Sequence, residues 1–253
     1  MRRLSSVLLV VAAASLAAAC SSPDPMPGGS DGAPLSLVQI ATIVASPDRS
    51  EADRRNDARR KPVDMLEFAG VRPGMTVLDV SSGGGYTTEL LARAVGPRGR
   101  VFAQTPRPPS PGLAERLKTP AAANVVSVVR PFESAPPPDL PAGFDLVTLM
   151  FNYHDMGHLG VDRARMNAAI FAALKPGASF VIADHSGRPG TGISESGTLH
   201  RVEETLVRRE VEGAGFHLAA EGMFLRNPND PRDRGEADTL QPKDEFVLRF
   251  VKP

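Results

Sequence analysis

The sequence predicts an α/β fold, a Rossmann-like three-layer sandwich built on a mostly parallel, seven-strand sheet. Three observations support this fold class. Short apolar or β-branched segments alternate with helical patterns, a glycine-rich turn follows the first of these segments, and two such segments at the C-terminal end have no helix between them. Alternation of this kind implies βαβ units with helices on both faces of the sheet, and the last two segments close it.

The predicted strands are short runs rich in valine, leucine and isoleucine, bounded by glycine, proline or polar turns. The first follows the turn Val71-Arg72-Pro73-Gly74. The polar loop 226–243 lies between the last two, which are expected to close the sheet. The seven predicted strands are 76–80, 100–103, 125–129, 145–150, 179–183, 217–225 and 245–250.

The predicted helices occupy the segments before and between the strands. Three of them precede the first strand and form an N-terminal extension, 35–70, which we expect to fold over the ligand cleft. The second of these carries the basic cluster Arg54, Arg55, Arg59, Arg60 and Lys61, which is interleaved with acids and predicts a solvated face. The helices are predicted at 35–45, 50–60, 62–69, 88–95, 113–118, 162–174 and 202–214.

The first twenty residues have the pattern of an export signal. Arg2 and Arg3 precede an apolar run that ends in Ala-Ala-Ala-Cys. The run resembles a bacterial lipoprotein signal, which implies lipidation of Cys20, and Ser22 favours the outer membrane. Residues 21–34 are rich in proline, glycine and serine and predict a flexible tether. We therefore expect a protein on the periplasmic face of the outer membrane, attached to the membrane only by lipid, or else soluble in the periplasm.

Composition excludes several classes of protein. The 29 basic residues balance the 29 acidic ones, and the chain has no tryptophan and only two tyrosines, which argues against nucleic-acid binding. Cys20 is the only cysteine, so the remaining chain, predicted as one domain over 71–253, has neither a disulfide nor a thiolate metal site.

The segment LDVSSGGGYTTELLA, residues 78–92, places three glycines between a predicted strand and a predicted helix. In this arrangement, backbone N–H groups at the carboxyl edge of a sheet can approach a nucleotide-like ligand. The alternative is a tight turn without a ligand.

Histidines and aspartates follow two later strands. His154 and Asp155 come after the fourth strand, Asp184 and His185 end the fifth, and His200 precedes the last helix. Because the carboxyl ends of parallel strands meet at one edge, we expect these side chains to converge. An imidazole oriented by a carboxylate is suited to accept a proton from a substrate, with His154 or His185 as the base.

The order of motifs resembles the class I S-adenosylmethionine-dependent methyltransferases over residues 71–253. VRPGMTVLDVSSGGG is similar to their first motif, GRVFAQT to their second strand, FDLVTLMFNYHD to their fourth, LKPGASFVIADH to their fifth, and EGAGFHLA to the step before their last hairpin. Within that superfamily, the segments 153–155, 184–185 and 199–201 resemble a group of predicted exported methyltransferase-like proteins.

This resemblance implies S-adenosylmethionine as the cofactor and a small molecule as the methyl acceptor. Ser81 stands where the first glycine of the usual loop lies, and Thr105 stands where an acid usually binds the ribose. The implied cofactor contacts are Asp79, Ser81, Gly83, Gly84, Gly85, Thr105, Glu133 and Asn152. From their place at the carboxyl edge, the predicted catalytic residues are His154, Asp155, Asp184, His185 and His200, and Tyr153 and Arg201 are predicted to contact the acceptor.

Two other functions are compatible with these residues. The neutral Thr105 favours a degenerate fold that binds a ligand or a partner without turnover. Alternatively, His154, His185 and His200 with a neighbouring acid suit iron, zinc or copper, although no metal is expected in the preferred function. His154 and His158 share a face only if their segment is helical, and Gly157 and Gly160 argue against a helix there.

Overall fold

The computed structural model describes residues 32–134, 143–235 and 242–253. The predicted export signal with Cys20, and the tether as far as residue 31, lie outside these ranges. Among the described helices, none combines the length and the hydrophobicity needed to cross a membrane.

A seven-stranded sheet forms the centre of the molecule, as the sequence predicts. Its strand order is β3-β2-β1-β4-β5-β7-β6, with β7 antiparallel to both of its neighbours and the other pairings parallel. The strands are β1 Thr76–Val80, β2 Arg100–Thr105, β3 Val125–Val129, β4 Phe144–Met150, β5 Leu174–His185, β6 His217–Gly222 and β7 Glu245–Val251.

Helices cover both faces of the sheet and bury two apolar clusters against it. Side chains of α1, α3 and α4 pack on one face, and side chains of α7 and α8 pack on the other. The helices are α1 Leu37–Val44, α2 Glu51–Arg60, α3 Pro62–Ala69, α4 Tyr86–Val95, α5 Pro111–Arg116, α6 Asp155–His158, α7 Arg163–Ala173 and α8 Glu204–Glu212.

The short helix α6 is absent from the sequence prediction, which was wrong to take Gly157 as a helix breaker. A Cβ atom at Gly157 would lie 2.4 Å from a side-chain carbon of Ile193 and 2.8 Å from Ser196 Oγ. The glycine therefore permits close packing of the loop that contains residues 193–196. Gly160, with a φ of 69°, follows the helix. As a result, His154 and His158 lie on one helical turn.

The extension α1–α3 packs against the sheet and across part of its carboxyl edge. Arg59 of α2 donates to Glu245 at the start of β7 over 2.7 Å. Asp57 accepts a 2.6 Å hydrogen bond from the hydroxyl of Tyr86, the first residue of α4. The basic cluster is therefore only partly a solvated face, because Arg59 and Arg60 point toward the edge at which ligands bind in folds of this kind.

Candidate active site

The glycine loop lies at the carboxyl end of β1 and is held by hydrogen bonds. The Ser82 amide donates to the carbonyl of Gln104 on β2 over 3.1 Å, and Gly85 N donates to the Ser82 carbonyl over 2.8 Å. Gly83 and Gly84 are exposed, and nothing lies within 4 Å of a Cβ atom built on Gly84. The backbone at these two positions is therefore open to a ligand.

The third glycine is closed, unlike the other two. A Cβ atom on Gly85 would lie 2.9 Å from side-chain atoms of both Leu113 and Arg116, because α5 packs directly on this residue. Gly85 has a φ of 83° and is the N-cap of α4. Of the three loop glycines predicted to contact the cofactor, only Gly83 and Gly84 are therefore accessible to it.

Ser81 adopts the backbone conformation of the glycine that it replaces. Its φ is 58°, in the left-handed region that a side chain disfavours. Phe151, directly after β4, and His200 share this feature, with φ values of 59° and 52°. Left-handed non-glycine residues are uncommon and tend to occur at functional sites. All three of these residues lie close to the carboxyl edge or to the histidines gathered there.

Asp79 supports the loop from below. Its buried carboxylate accepts hydrogen bonds from the hydroxyls of Thr88 at 2.6 Å and Thr148 at 2.8 Å. Burial raises its pKa to about 6, although both hydroxyl donors act in the opposite direction. Because Asp79 is only 1% exposed, it holds β1, β4 and α4 together and does not present a surface to a cofactor.

The other predicted cofactor residues have local hydrogen bonds of their own. Thr105 ends β2 as expected, but it is buried and its hydroxyl donates to the Arg107 carbonyl over 2.6 Å. Glu133 accepts from the backbone N–H of Asp162 at the start of α7 over 3.1 Å. Asn152 donates to Asp155 Oδ2 over 2.8 Å and stays half-buried. At the end of β2 the structure therefore offers neutral groups in place of an acid.

Arg60 is a site residue that the sequence interpretation missed. Its guanidinium carbon lies 4.6 Å from the ring centroid of Phe151 and 5.2 Å from that of Tyr86. Its Nε is buried and has no hydrogen-bond partner among the described residues. Burial, and to a smaller extent the charge of Arg59, lowers the pKa of Arg60. Arg60 as a whole is half-buried, and its unpaired Nε between the first residue of α4 and the residue after β4 makes it a candidate contact for an anionic ligand.

The composition of α2 could have indicated that Arg60 points inward. The helix reads EADRRNDARR and has no apolar stripe. Such a helix is stabilised by polar contacts rather than by packing of an apolar face. Asp53, for example, is only 5% exposed and pairs with Arg116 over 2.8 Å. Several charges on α2 must therefore point inward.

The predicted convergence of histidines and aspartates occurs. His154 Nδ1 lies 2.6 Å from Asp184 Oδ1, and its Nε2 lies 3.1 Å from Asp155 Oδ1. His200 Nδ1 approaches Asp155 Oδ1 at 3.4 Å. The ring of His185 lies 5.5 Å from that of His154, and its Nδ1 is 2.9 Å from Glu245. His158, which the prediction set aside, and Glu245, which it treated only as a strand end, belong to this region.

The charge state of His154 does not suit the predicted role as a base. Burial alone would lower its pKa, but Asp184 and Asp155 outweigh burial and raise the pKa to about 10. Burial would raise the pKa of Asp155, whereas its hydrogen bond with His154 and the charge of that residue hold the pKa well below the usual range. With no ion bound between them, His154 and Asp155 thus form an ion pair at neutral pH, and His154 carries the proton.

Two residues expected to contact the acceptor are core residues. Tyr153 is fully buried, donates to Glu210 over 2.8 Å and accepts from Asn167 over 2.9 Å. Arg201 is 1% exposed, and its guanidinium bonds Asp230 at 2.8 Å and the Ser186 carbonyl at 2.9 Å. The prediction was wrong for both, because their side chains point into the protein and have protein partners.

Comparison with known proteins supports the resemblance to methyltransferases that the sequence motifs indicate. Residues 58–116 match the family model described as protein-L-isoaspartate(D-aspartate) O-methyltransferase. A similar sequence is the ubiquinone/menaquinone biosynthesis C-methyltransferase UbiE of Ectopseudomonas mendocina (strain ymp), which is 34% identical over 130 residues, covering 51% of this chain and 48% of the relative. The UbiE of Saccharophagus degradans is 30% identical over 132 residues, covering 51% and 50%. The chain thus spans about half the length of the curated relatives it matches.

Solved structures share the fold. An S-adenosylmethionine-dependent methyltransferase from Aquifex aeolicus superposes with a TM-score of 0.60 at 19% identity, covering 87% of this chain and all of the other. A putative sarcosine dimethylglycine methyltransferase from Galdieria sulphuraria gives 0.57 at 13% identity, covering 85% and 98%. The fold is therefore that of the class I methyltransferases. The family match, which includes the glycine loop, supports the S-adenosylmethionine-dependent superfamily itself.

Proposed function

We propose that this chain is an S-adenosylmethionine-dependent methyltransferase that acts on a small-molecule acceptor outside the cytoplasm. The observation that carries the proposal is the open backbone of Gly83 and Gly84, at the carboxyl end of β1 in a class I methyltransferase fold. Ligands of open α/β sheets bind outside the carboxyl ends of the strands.

The residues at this edge fit the amino-acid end of S-adenosylmethionine. A side chain on Gly84 would occupy the open space beside the loop, which the glycine keeps free. The orphaned Nε of Arg60 and its position over Tyr86 and Phe151 suit a carboxylate ligand. Gly83, Gly84 and Arg60 are the residues that would hold this part of the cofactor.

The residues that would contact the ribose end of the cofactor carry no charge. Gln104 and Thr105 stand at the end of β2, and both are neutral. Hydrogen bonds to a neutral partner contribute roughly 1 kcal/mol less than those to a charged one. We expect cofactor affinity to depend on Arg60 more strongly than it would with an acid at position 105.

When bound, S-adenosylmethionine supplies a methyl group on a sulfonium, and that group is open to in-line attack by a nucleophile. The chain's own task is to position the acceptor. Asn152, Asp155 and His200 are the partly exposed members of the cluster that follows β4 and β5, and they would orient a polar acceptor. His154, which Asp184 holds in place, contacts Asp155 from behind.

The relatives do not identify the acceptor. The family match over 58–116 ends with α5 and leaves out the carboxyl ends of β4 and β5, where Asp155 and His200 lie. The UbiE enzymes are named for C-methylation in ubiquinone and menaquinone biosynthesis, and the matched part of this chain is about half their length. The family model is named for protein isoaspartate and the UbiE enzymes for quinone biosynthesis, so the small-molecule acceptor is our proposal and not a property that the matches share.

Export rests on the sequence pattern alone. Arg2, Arg3 and the apolar run that ends at Cys20 support a lipoprotein, and residues 21–34 support a tether. Expression of the full chain in a bacterial host with labelled palmitate tests this proposal. Incorporation into the wild-type chain and none into Cys20→Ser is the expected result. Equal labelling of both would contradict it.

Calorimetry tests cofactor binding on the full chain. We expect wild type to bind S-adenosylmethionine and its demethylated product, and Gly84→Val to lose at least about tenfold in affinity because the valine fills the open space beside the loop. The matched control is Ala123→Val, an exposed position two residues before β3 and so at the opposite edge of the sheet. Absence of binding by wild type, or equal affinity of wild type and Gly84→Val, would contradict the proposal.

A further inference from the structure

Three side chains past the ends of β4 and β5 bring their ligand atoms to one point. His154, Asp155 and His200 each offer one such atom, and these atoms all lie within 4.8 Å of one another. Two of the separations are 3.1 Å, from His154 Nε2 to Asp155 Oδ1, and 3.4 Å, from His200 Nδ1 to the same oxygen. Ligands about 2.1 Å from one ion in a tetrahedral arrangement lie roughly 3.4 Å apart. The observed spacing is that of a metal-ligand set.

The protein fixes the first histidine from behind. His154 Nδ1 faces Asp184 Oδ1 at 2.6 Å, and the backbone N–H groups of His154 and His185 also donate to Asp184, at 2.7 Å each. With Nδ1 directed at this carboxylate, Nε2 is the ring nitrogen left to face Asp155. Metal-binding histidines commonly have a carboxylate at the second ring nitrogen, where it sets the tautomer and the orientation of the ring.

The second histidine is held in a disfavoured backbone conformation. The φ of His200 is 52°, and its ring lies 5.5 Å from that of His154 at an angle of 87°. Two close approaches bring the loop before it onto α6. A Cβ atom on Gly157 would collide with Ile193, and one on Gly197 would lie 3.3 Å from the Cβ atom of His158. The fold thus tolerates local strain in order to place His200 beside Asp155.

A fourth imidazole lies close by but belongs to a different hydrogen-bond group. His158 Nδ1 is 3.0 Å from Ser196 Oγ and 3.8 Å from Asp155 Oδ1. Its shorter contact is to the hydroxyl, so we leave it outside the ligand set. His185 is also outside, because its Nδ1 faces Glu245 at 2.9 Å.

We propose that His154 Nε2, Asp155 Oδ1 and His200 Nδ1 bind one divalent first-row transition metal ion. Two imidazoles and one carboxylate suit Zn²⁺ or Fe²⁺ and leave coordination positions open. Asp155 and His200 are partly exposed, so the open positions face the same region as the proposed acceptor. The metal site does not depend on cofactor binding, because none of its ligands belongs to the glycine loop.

Cobalt titration of the full chain tests the site. After chelator treatment, we expect Co²⁺ to produce visible ligand-field absorption that saturates at one equivalent, and Zn²⁺ to abolish it by displacement. Mg²⁺, which prefers oxygen ligands, is expected to leave the spectrum unchanged. Absence of a cobalt spectrum in wild type would overturn the proposal.

Substitutions locate the ion. His200→Ala and Asp155→Asn are each expected to weaken Co²⁺ binding by more than about tenfold, and Asp184→Asn by roughly 10- to 100-fold through His154. His217→Ala, at an exposed position on β6, is the matched histidine control and should bind like wild type. Binding by His200→Ala equal to wild type would overturn the assignment. Circular dichroism melting identifies any variant that fails to fold. Because His200 is partly exposed, the result for His200→Ala decides the test if the other variants do not fold.

The cofactor experiment is separate from this one. Cobalt binding without S-adenosylmethionine binding would support the metal site and reject the methyltransferase proposal. Cofactor binding without a cobalt spectrum would do the reverse.

Discussion

Thr148 on β4 donates a 2.8 Å hydrogen bond to Asp79 at the end of β1, in a place where neither side chain reaches solvent. A second hydroxyl, that of Thr88 on α4, donates to the other carboxylate oxygen. Three elements that meet beneath the glycine loop are therefore joined through one carboxylate. Its protonation should affect the stability of the whole domain.

Stability should rise on mild acidification through Asp79. Its folded-state pKa of about 6 lies above the usual value of 3.8, so the folded state binds the proton more tightly. The contribution is absent above about pH 6, grows as the pH falls through the folded pKa, and is complete near pH 4, with a maximum of roughly 3 kcal/mol. Urea unfolding of wild type and Asp79→Asn between these pH values measures it.

The difference between those two proteins isolates this one group, since the other carboxylates titrate equally in both. We expect the free energy of unfolding of wild type to gain on that of Asp79→Asn as the pH decreases. A difference that stays constant would show that Asp79 titrates at its ordinary pKa in the folded protein.

Arg60 should contribute to binding rather than to stability. Because its Nε lacks a partner, Arg60→Ala is expected to leave the melting temperature unchanged or higher, while affinity for S-adenosylhomocysteine falls about tenfold or more with the loss of a charged hydrogen bond. Affinity for methylthioadenosine, which lacks the carboxylate, should change little. Arg55→Ala is the matched control, because Arg55 lies on the same helix, is exposed and pairs with the exposed Glu51. Equal losses for both ligands would argue against a carboxylate contact.

The ionic contacts of Arg116 should stabilise the extension. This residue lies between Asp53 of α2 and Glu89 of α4, and all three side chains are largely buried. Arg116→Met removes the cation that pairs with the buried carboxylate of Asp53, whereas Glu89 keeps its 2.8 Å contact with Arg93. We expect a loss of roughly 3 kcal/mol in the free energy of unfolding. Lys118→Met, which breaks an exposed pair with Glu115, should cost less than about 1 kcal/mol. Denaturant unfolding of both variants measures these losses. Equal losses would show that burial does not make the contacts of Arg116 more stabilising than an exposed ion pair.

Tyr153 should act in the core and not in methyl transfer. Removal of its hydroxyl in Tyr153→Phe deprives Glu210 and Asn167 of a buried partner, and we expect a loss of roughly 1 to 3 kcal/mol in stability. KM for the acceptor should stay unchanged once an acceptor is found by screening. A raised KM at unchanged stability would restore the substrate contact that the sequence suggested.

The sequence predicts the sheet well because its strands are locally marked. The bounds of 76–80 and 125–129 agree with the structure, since both are β-branched runs between turn residues. β5 is longer than predicted and begins at Leu174, because Lys175-Pro176-Gly177 continues as an irregular part of the strand, where Leu174 pairs with Phe144. Local composition could not predict that pairing, because it depends on a strand distant in the sequence.

The site is predictable in position but not in the direction of its side chains. Strand-end placement brings His154, Asp155, Asp184 and His185 together correctly. The same argument fails for Tyr153 and Arg201, because a position past a strand does not say whether a side chain faces the cleft or the core. Arg60 is missed for a related reason, since a charged helix predicts solvent contact unless the rest of the fold covers it.

The antiparallel strand β7 lies between β5 and β6, although it is the last strand in chain order. Its first residue, Glu245, meets His185 and Arg59 at the edge where the histidines gather. During synthesis on the ribosome, the side of β5 that faces away from β4 therefore has no neighbouring strand until residues 245–251 have emerged from the exit tunnel. The histidine region is completed only after β7 has emerged, so a nascent chain stalled before β7 should have a finished glycine loop and an unfinished site beside it.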